Sequence, residues 1–145
     1  MIEAQAAKHQ VVIASQAMTN SVTATGNIDC KGVGYVEIEV ALKSAINTNA
    51  VSPTISLLES DDTVVSNFAT VVATQTIASW PAATSPMVGL FQVDTRGRKR
   101  YLRMSVSTAT ATNDDINVSV TARTSRKAQG PASTSDQTDV SLGVI

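Results

Sequence analysis

Apolar and polar residues alternate strictly along residues 116–124 (INVSVTART), and this pattern constrains the fold more than any other feature of the chain. Ile116, Val118 and Val120 fall on one side of the segment, and the polar residues between them fall on the other. Because successive side chains of a β-strand point to opposite faces, the pattern predicts a strand with one dry face and one solvated face. Residues 34–42 (GYVEIEVAL) repeat the pattern, which favours antiparallel pairing.

Further short strands are predicted along the rest of the chain. Turns or breaks between these strands are indicated by Gly97, Pro81, Pro86 and the Asp61–Asp62 pair. Val and Thr are abundant and favour strands, whereas no segment carries a convincing helical pattern. About eight short strands at close spacing predict an all-β fold, an antiparallel β-sandwich of the jelly-roll type. The predicted strands lie in residues 11–14, 19–31, 34–42, 54–60, 64–80, 87–95, 100–107 and 116–124.

The chain length of 145 residues suits one domain with a core of its own. Residues 1–10 are predicted to form an N-terminal arm, and residues 11–127 to form the β-sandwich domain. Residues 128–145 are predicted to form a flexible C-terminal tail with an apolar end.

The tail has two parts of different composition. Residues 128–139 contain no large apolar side chain and bury too little surface to offset the entropy lost on ordering. The end of the chain, VSLGVI, is apolar again. We expect Val140, Leu142 and Val144 to dock on a neighbouring subunit by strand addition.

Charged residues make up only 16% of the chain, and the net charge is −1. A dedicated binder of double-stranded DNA is usually basic overall, so this class is disfavoured. A surface built mainly from Ser, Thr, Asn and Ala is typical of proteins that pack in assemblies. Residues 1–10 lack the apolar core of a secretory signal, and no apolar run approaches the roughly 20 residues that cross a bilayer. We therefore expect synthesis in the cytoplasm and no membrane partner.

The residues that usually carry catalysis are sparse. His9 is the single histidine and falls in the predicted arm, where a solvated role is expected. Cys30 has neither a second histidine as base nor the partners of a zinc site. Glu37 and Glu39 share a strand face and resemble a glycosidase pair, but solvated positions are favoured over catalysis.

Two adjacent acidic pairs, Asp61–Asp62 and Asp114–Asp115, fall in predicted turns. Loops of this kind can converge on a calcium ion, but no DxDxDG spacing is present and turn formation is favoured. No glycine-rich phosphate loop occurs either. The sequence therefore predicts no catalytic residue, no cofactor and no metal site.

Five basic residues lie within eight positions, next to the predicted strand of residues 100–107. They are Arg96, Arg98, Lys99, Arg100 and Arg103. One interpretation is a docking site for an acidic protein surface, where arginine can fix orientation by two-point contacts with carboxylates. The alternatives are phosphate or nucleic-acid binding, and a solvated hairpin whose charges discourage edge pairing. Aromatic residues are too few beside this cluster for a platform that stacks bases.

Three segments resemble those of small structural proteins of tailed bacteriophages: residues 57–62 (LLESDD), 89–107 (GLFQVDTRGRKRYLRMSVS) and 118–124 (VSVTART). In that group, a hairpin similar to LQESDD precedes a strand of the form G-x-KRYLR. The chain looks like the capsid cement, or decoration, proteins with jelly-roll folds. The resemblance covers residues 54–127, about half of the chain.

The resemblance implies a non-enzymatic virion protein, made in the host cytoplasm, that binds the exterior of an icosahedral capsid and strengthens it. Its partners would be the major capsid protein and further copies of itself, as a homodimer or homotrimer, without nucleic acid, membrane or cofactor. The alternatives are a host-recognition or carbohydrate-binding module of a phage head fibre or tail, and a polysaccharide-active enzyme using Glu37 and Glu39. A tail-tube or head-completion protein is a further alternative.

Overall fold

A computed structural model of the chain describes residues 8–18, 22–44, 53–76, 86–108, 116–125 and 140–144. Within these ranges the structure consists of nine β-strands and one short 3-10 helix, Val65–Asn67. None of the described segments is a helix long and apolar enough to cross a membrane. The strands are β1 (Lys8–Met18), β2 (Thr23–Asp29), β3 (Tyr35–Ser44), β4 (Thr54–Ser60), β5 (Thr70–Thr76), β6 (Met87–Asp94), β7 (Tyr101–Ser107), β8 (Ile116–Ser125) and β9 (Val140–Val144).

The strands form two antiparallel sheets, with the orders β1-β8-β3-β6-β9 and β2-β7-β4-β5. Four of the strand pairs are nested in sequence, as in a long hairpin that has been rolled up. They are β1 with β8, β2 with β7, β3 with β6 and β4 with β5. The pairs β3–β8 and β4–β7 complete the two sheets. This arrangement is an eight-stranded jelly roll with β9 added at the β6 edge. The predicted fold class is therefore confirmed.

The core lies between the two sheets and is built from the alternating positions of the sequence pattern. Val118 and Val120 of β8, Val36 and Ile38 of β3, and Phe91 of β6 are at most 1% exposed. A slip of one residue in register would turn each of these strands over and expose its apolar side. The faces predicted for residues 34–42 and 116–124 are thus confirmed.

One edge of the sandwich is closed by a contact between β1 and β2, which belong to different sheets. The pairing of β1 with β8 shifts register between Val11 and Ile13, and Val12 lies at this irregularity. A Cβ atom added to Gly26 of β2 would lie 2.7 Å from the carbonyl carbon of Val12 and 2.8 Å from its Cγ1. Glycine is therefore required where the two backbones approach.

The N-terminal boundary differs from the prediction. Strand β1 begins at Lys8, because residues 8–10 pair with residues 122–124 of β8. These three residues, predicted to belong to the arm of residues 1–10, are therefore part of the sandwich. Residues 1–7 lie outside the described residues.

The C-terminal segment also differs. Residues 140–144, predicted as the apolar end of a flexible tail, form β9 and pair with β6 of the same chain. In this structure the apolar strand pairs with the backbone groups of the available sheet edge. The remainder of the predicted tail lies outside the described residues.

Candidate docking site at the charged end

Three connections, β2–β3, β4–β5 and β6–β7, meet at one end of the sandwich. Backbone hydrogen bonds join two of them: the Cys30 N–H donates to the Arg100 carbonyl at 2.8 Å, and the Thr95 N–H donates to the Gly34 carbonyl at 3.3 Å. We call this region the charged end. It comprises Asp29, Lys31, Glu59, Asp61, Asp62, Asp94, Arg96, Arg98, Lys99 and Arg100. Four of the five basic residues predicted to dock are therefore brought together there with acidic residues.

Two of these connections share a local sequence of Asp, any residue, a basic residue and Gly. They are residues 29–32 (DCKG) and residues 94–97 (DTRG). In each, Oδ1 of the Asp accepts the backbone N–H two residues ahead, at 3.0 Å for both Lys31 and Arg96. This Asx hydrogen bond favours reversal of the chain directly after a strand.

Glycine completes both turns. Gly32 has a φ of 70° and Gly97 a φ of 80°, in the left-handed region that side chains with a Cβ disfavour. The next residue then closes each turn: the Val33 N–H donates to a backbone carbonyl at 3.0 Å, and the Arg98 N–H does so at 3.1 Å. The turn predicted at Gly97 is confirmed, and both turns hold their basic residues on a defined backbone.

Asp62 organises the third connection. Its Oδ1 accepts the Val64 N–H at 2.9 Å, and its Oδ2 accepts the Asn67 Nδ2 at 2.8 Å. These hydrogen bonds, the Asn67 one above all, lower the pKa of the Asp62 carboxyl. The turn predicted for Asp61–Asp62 is thus confirmed, and within the described ranges no group of His, Cys, Asp or Glu is arranged to hold a metal. Asp114–Asp115 lies outside those ranges.

Two arginines of the cluster bind carboxylates of the same chain. Nε and Nη2 of Arg100 donate to Oδ1 and Oδ2 of Asp29, at 3.0 and 2.8 Å. Arg96 makes the same two-point contact with Asp94, whose pKa this hydrogen bonding lowers. Such a fork fixes the plane of a guanidinium group. The charges of Arg96 and Arg100 are therefore matched within the chain, although both side chains remain exposed.

The Asp29–Arg100 pair predicts an acid-dependent contribution to stability. The Arg100 hydrogen bond lowers the pKa of the Asp29 carboxyl from 3.8 to about 2. A carboxyl whose folded-state pKa is lowered stabilises the fold above its unfolded pKa, and this contribution is lost as the pH falls through the folded pKa. We expect a slightly lower urea midpoint for Asp29→Asn than for the unmodified chain at about pH 6, and convergence of the midpoints between about pH 4 and pH 2.

The Asn side chain keeps an oxygen that accepts the Lys31 N–H, so this variant removes the charge and the second acceptor for Arg100 but retains the turn. Urea unfolding followed by circular dichroism at several pH values would measure both midpoints. A difference that stays constant as the pH falls to about 2 would contradict the assignment.

Arg103 is placed differently from the rest of the predicted docking set. It lies on the outer face of the β2-β7-β4-β5 sheet, as the alternation predicts, but it is only 7% exposed. The Phe68 ring covers its guanidinium, with the Cζ atom 4.2 Å from the ring centroid, and Nε donates to Oδ1 of Asn27 at 2.8 Å. In this position the covered guanidinium stacks on an aromatic ring and packs the β4–β5 connection onto the sheet, and its docking role stays a prediction.

Arg98 and Lys99 remain as the cations at the tip of the β6–β7 hairpin. Nζ of Lys99 lies 3.9 Å from Oδ2 of Asp61, which is a weak and solvated pair. For Arg98, the part of the chain that the structure describes contains no ion pair within 4.0 Å. These two side chains are therefore the best placed of the predicted residues to bind an acidic surface.

The apolar residues of the predicted docking set, Val140, Leu142 and Val144, do not join the charged end. They lie in β9, at the edge of the five-stranded sheet. The eight residues predicted to dock thus divide into four cations at one end, one covered arginine and three residues of an edge strand. Of the four cations, Arg96 and Arg100 are exposed, and Arg98 and Lys99 are half-buried.

The residues considered for catalysis are Cys30, His9, Glu37 and Glu39. Burial raises the pKa of the Cys30 thiol to about 12, which keeps it protonated and weakly nucleophilic at neutral pH. His9 is exposed on β1, opposite Arg123 of β8. Glu37 lies on the outer face of the five-stranded sheet with Glu39 and accepts a hydrogen bond from Gln92, with its Oε2 3.4 Å from Nε2.

The described aromatic residues are dispersed. Tyr35 lies on the outer face of the five-stranded sheet and Tyr101 on the outer face of the other, while Phe68 and Phe91 are buried. Trp80 lies outside the described residues. Of the described rings, Phe68 and Tyr101 thus lie on the outer side of the four-stranded sheet, Tyr35 lies on the outer side of the other sheet, and Phe91 lies in the core.

No protein-family model matches the chain, and no curated protein matches it in sequence. Similar solved structures include the K3 cleaved adhesin domain of Lys-gingipain from Porphyromonas gingivalis. That comparison gives a TM-score of 0.51 and 15% identity, over 77% of this chain and 74% of the adhesin domain. At this identity the similarity supports the β-sandwich fold and nothing further.

The solved structures that match with TM-scores under 0.5 include two viral proteins. The structure of infectious bursal disease virus, Gx strain, gives a TM-score of 0.49 and 15% identity, over 86% of this chain and 34% of the viral chain. The enzymatically active domain of tailspike protein 4 from bacteriophage CBA120 gives 0.46 and 13%, over 80% of this chain and 18% of the tailspike chain. The chain spans about a third of the length of the infectious bursal disease virus chain.

Proposed function

We propose that this chain is a non-enzymatic structural protein of a bacteriophage particle, which binds the outer surface of the capsid as a dimer or trimer and stabilises it. The observation that carries the proposal is the basic hairpin at the charged end. Arg98 and Lys99 lie there, half-buried, at the tip of a hairpin in a jelly roll whose charged residues amount to only 16% of the chain. The resemblance of residues 54–127 to decoration proteins supports the same role.

The construction of the hairpin favours a protein partner. The Asp94 hydrogen bonds and the Gly97 turn fix the backbone before binding, which reduces the entropy lost on docking. Neighbouring carboxylates neutralise Arg96 and Arg100, so the remaining positive charge of the hairpin is confined to Arg98 and Lys99 and does not form a broad basic field. Such a surface suits a defined acidic patch on a capsid protein more than a polyanion.

The proposal is tested by co-sedimentation with empty heads assembled from the major capsid protein of the phage that encodes the chain. We expect saturable binding and a higher temperature of head disruption when the protein is bound. Absence of binding at low salt would refute the proposal.

Replacing Arg98 by Ser is expected to weaken binding to the heads by about three- to tenfold at low salt, because one unscreened charge contact is lost. The loss should shrink as added salt screens the charges. Titration of labelled protein against heads would measure both dissociation constants. Lys43→Ser, which removes the same charge from an exposed residue at the other end of β3, is the matched control and should bind normally. Equal losses for the two variants would show that overall charge, not the hairpin, drives binding.

A further inference from the structure

Strand β9 is attached to the sandwich through one neighbouring strand. It pairs with β6 at the end of the sheet order. Val140, Leu142 and Val144 lie opposite residues 93, 91 and 89 of β6, which are buried positions of the core-facing side. The β6 edge therefore pairs with β9 in one defined register.

The connection from β8 to β9 is much longer than the path that it bridges. Ser125, the last residue of β8, lies opposite Tyr35 of β3, which in turn lies opposite Asp94 of β6. Val140 begins β9 opposite Val93, next to Asp94. The path thus crosses three strand spacings, about 15 Å in total. The intervening residues 126–139 can extend over roughly 46–50 Å.

We propose that β9 is the strand by which copies of this chain join, so that in the oligomer β9 of one copy occupies the β6 edge of another. The backbone pairing would be the same as within one chain, so the exchange needs no new complementary surface. The surplus length of residues 126–139 lets β9 reach a second sandwich. The inference rests on the part of the proposed function in which several copies associate.

Pairing within one chain competes with this exchange. A tether of this length gives β9 an effective concentration at its own β6 edge on the order of 1 mM. Exchange is therefore expected when the protein concentration approaches that value, as it does when copies crowd on one surface. A reciprocal exchange between two copies restores both β6 edges and leaves no strand unpaired.

A disulfide placed across the β6–β9 pair distinguishes the two arrangements. Gln92→Cys and Ser141→Cys are combined in a chain that also carries Cys30→Ala, because residues 92 and 141 lie directly opposite each other. Opposite residues of antiparallel strands have Cα separations of about 4.5–5.5 Å, which a disulfide can bridge. The protein is mildly oxidised at about 1 mM and examined by non-reducing electrophoresis.

We expect about half of the cross-linked protein to run at the mass of two or more chains, because the two pairings compete equally at this concentration. Cross-links confined to single chains would overturn the inference. Leu90→Cys with Gly143→Cys provides a second opposite pair. If neither pair forms a disulfide, β9 does not occupy a β6 edge, and this result also overturns the inference. Glu39→Cys with Thr121→Cys joins β3 to β8 and should cross-link only within one chain.

The test separates this inference from capsid binding. Cross-links within single chains, together with normal binding to the heads, would leave the capsid role intact and remove strand exchange. Cross-links between chains without binding to the heads would support strand exchange and refute the capsid role.

Discussion

Val118→Asp is expected to abolish the cooperative unfolding transition, because the variant does not fold. Val118 is 1% exposed on the core side of β8, opposite Leu42 of β3. The buried residues that surround it form a single apolar cluster. An isolated carboxylate in such a site must lose its hydration or take up a proton, at a cost of several kcal/mol. A domain typically has a free energy of unfolding of about 5–15 kcal/mol, which is comparable with that cost. The substitution therefore removes about all of the stability.

The neighbouring residue supplies the control. Asn117 is exposed on the outer face and lies opposite Lys43 of β3, so Asn117→Asp places the same group beside a cation. We expect Asn117→Asp to unfold within about 0.5 kcal/mol of the unmodified chain. Circular dichroism and urea unfolding measure both variants. A folded Val118→Asp protein beside an unfolded Asn117→Asp protein would mean that the two faces of β8 are reversed.

Much of the fold could be predicted because period-two alternation assigns each residue of a regular strand to a face. Residues 34–42 and 116–124 are regular over their whole length, and their core positions follow directly. Strand β1 is not regular: its two register shifts against β8 interrupt the alternation, so only its apolar residues 11–14 were predicted as a strand. The order of strands in the sheets depends on contacts between distant segments. Local patterns predict the class of fold but not this order.

The candidate site was predictable in part. Its hairpin follows from Gly97 and the adjacent strands, and the repeated DCKG and DTRG sequences carry a local signal for the two Asx turns that sequence reasoning missed. The Asp29–Arg100 pair joins residues 71 positions apart, and no local pattern identifies such a partner. The same holds for the Phe68 ring over Arg103, because it depends on how the β4–β5 connection lies on the sheet.

Gly26→Ala is expected to destabilise the chain by about 2–4 kcal/mol, the range of a severe steric change in a packed region. The added Cβ would meet the carbonyl carbon of Val12 at 2.7 Å, a contact that backbone movement alone can relieve. Relief would pull β1 away from β2 and open the edge that joins the two sheets. Urea unfolding gives the change in free energy, and an unchanged slope with denaturant would show that the two-state transition is retained.

Two further variants separate this steric effect from the general response of glycine to substitution. Gly97 has a positive φ but no atom within 4 Å of an added Cβ, so Gly97→Ala should cost about 1 kcal/mol through backbone strain alone. Val12→Ala in the Gly26→Ala background removes the Cγ1 contact but leaves the carbonyl, so it should restore only part of the lost stability. If Gly26→Ala cost no more than Gly97→Ala, the close approach of β1 and β2 would be disproved. Full recovery in the double variant would locate the clash at the Val12 side chain and not at its backbone.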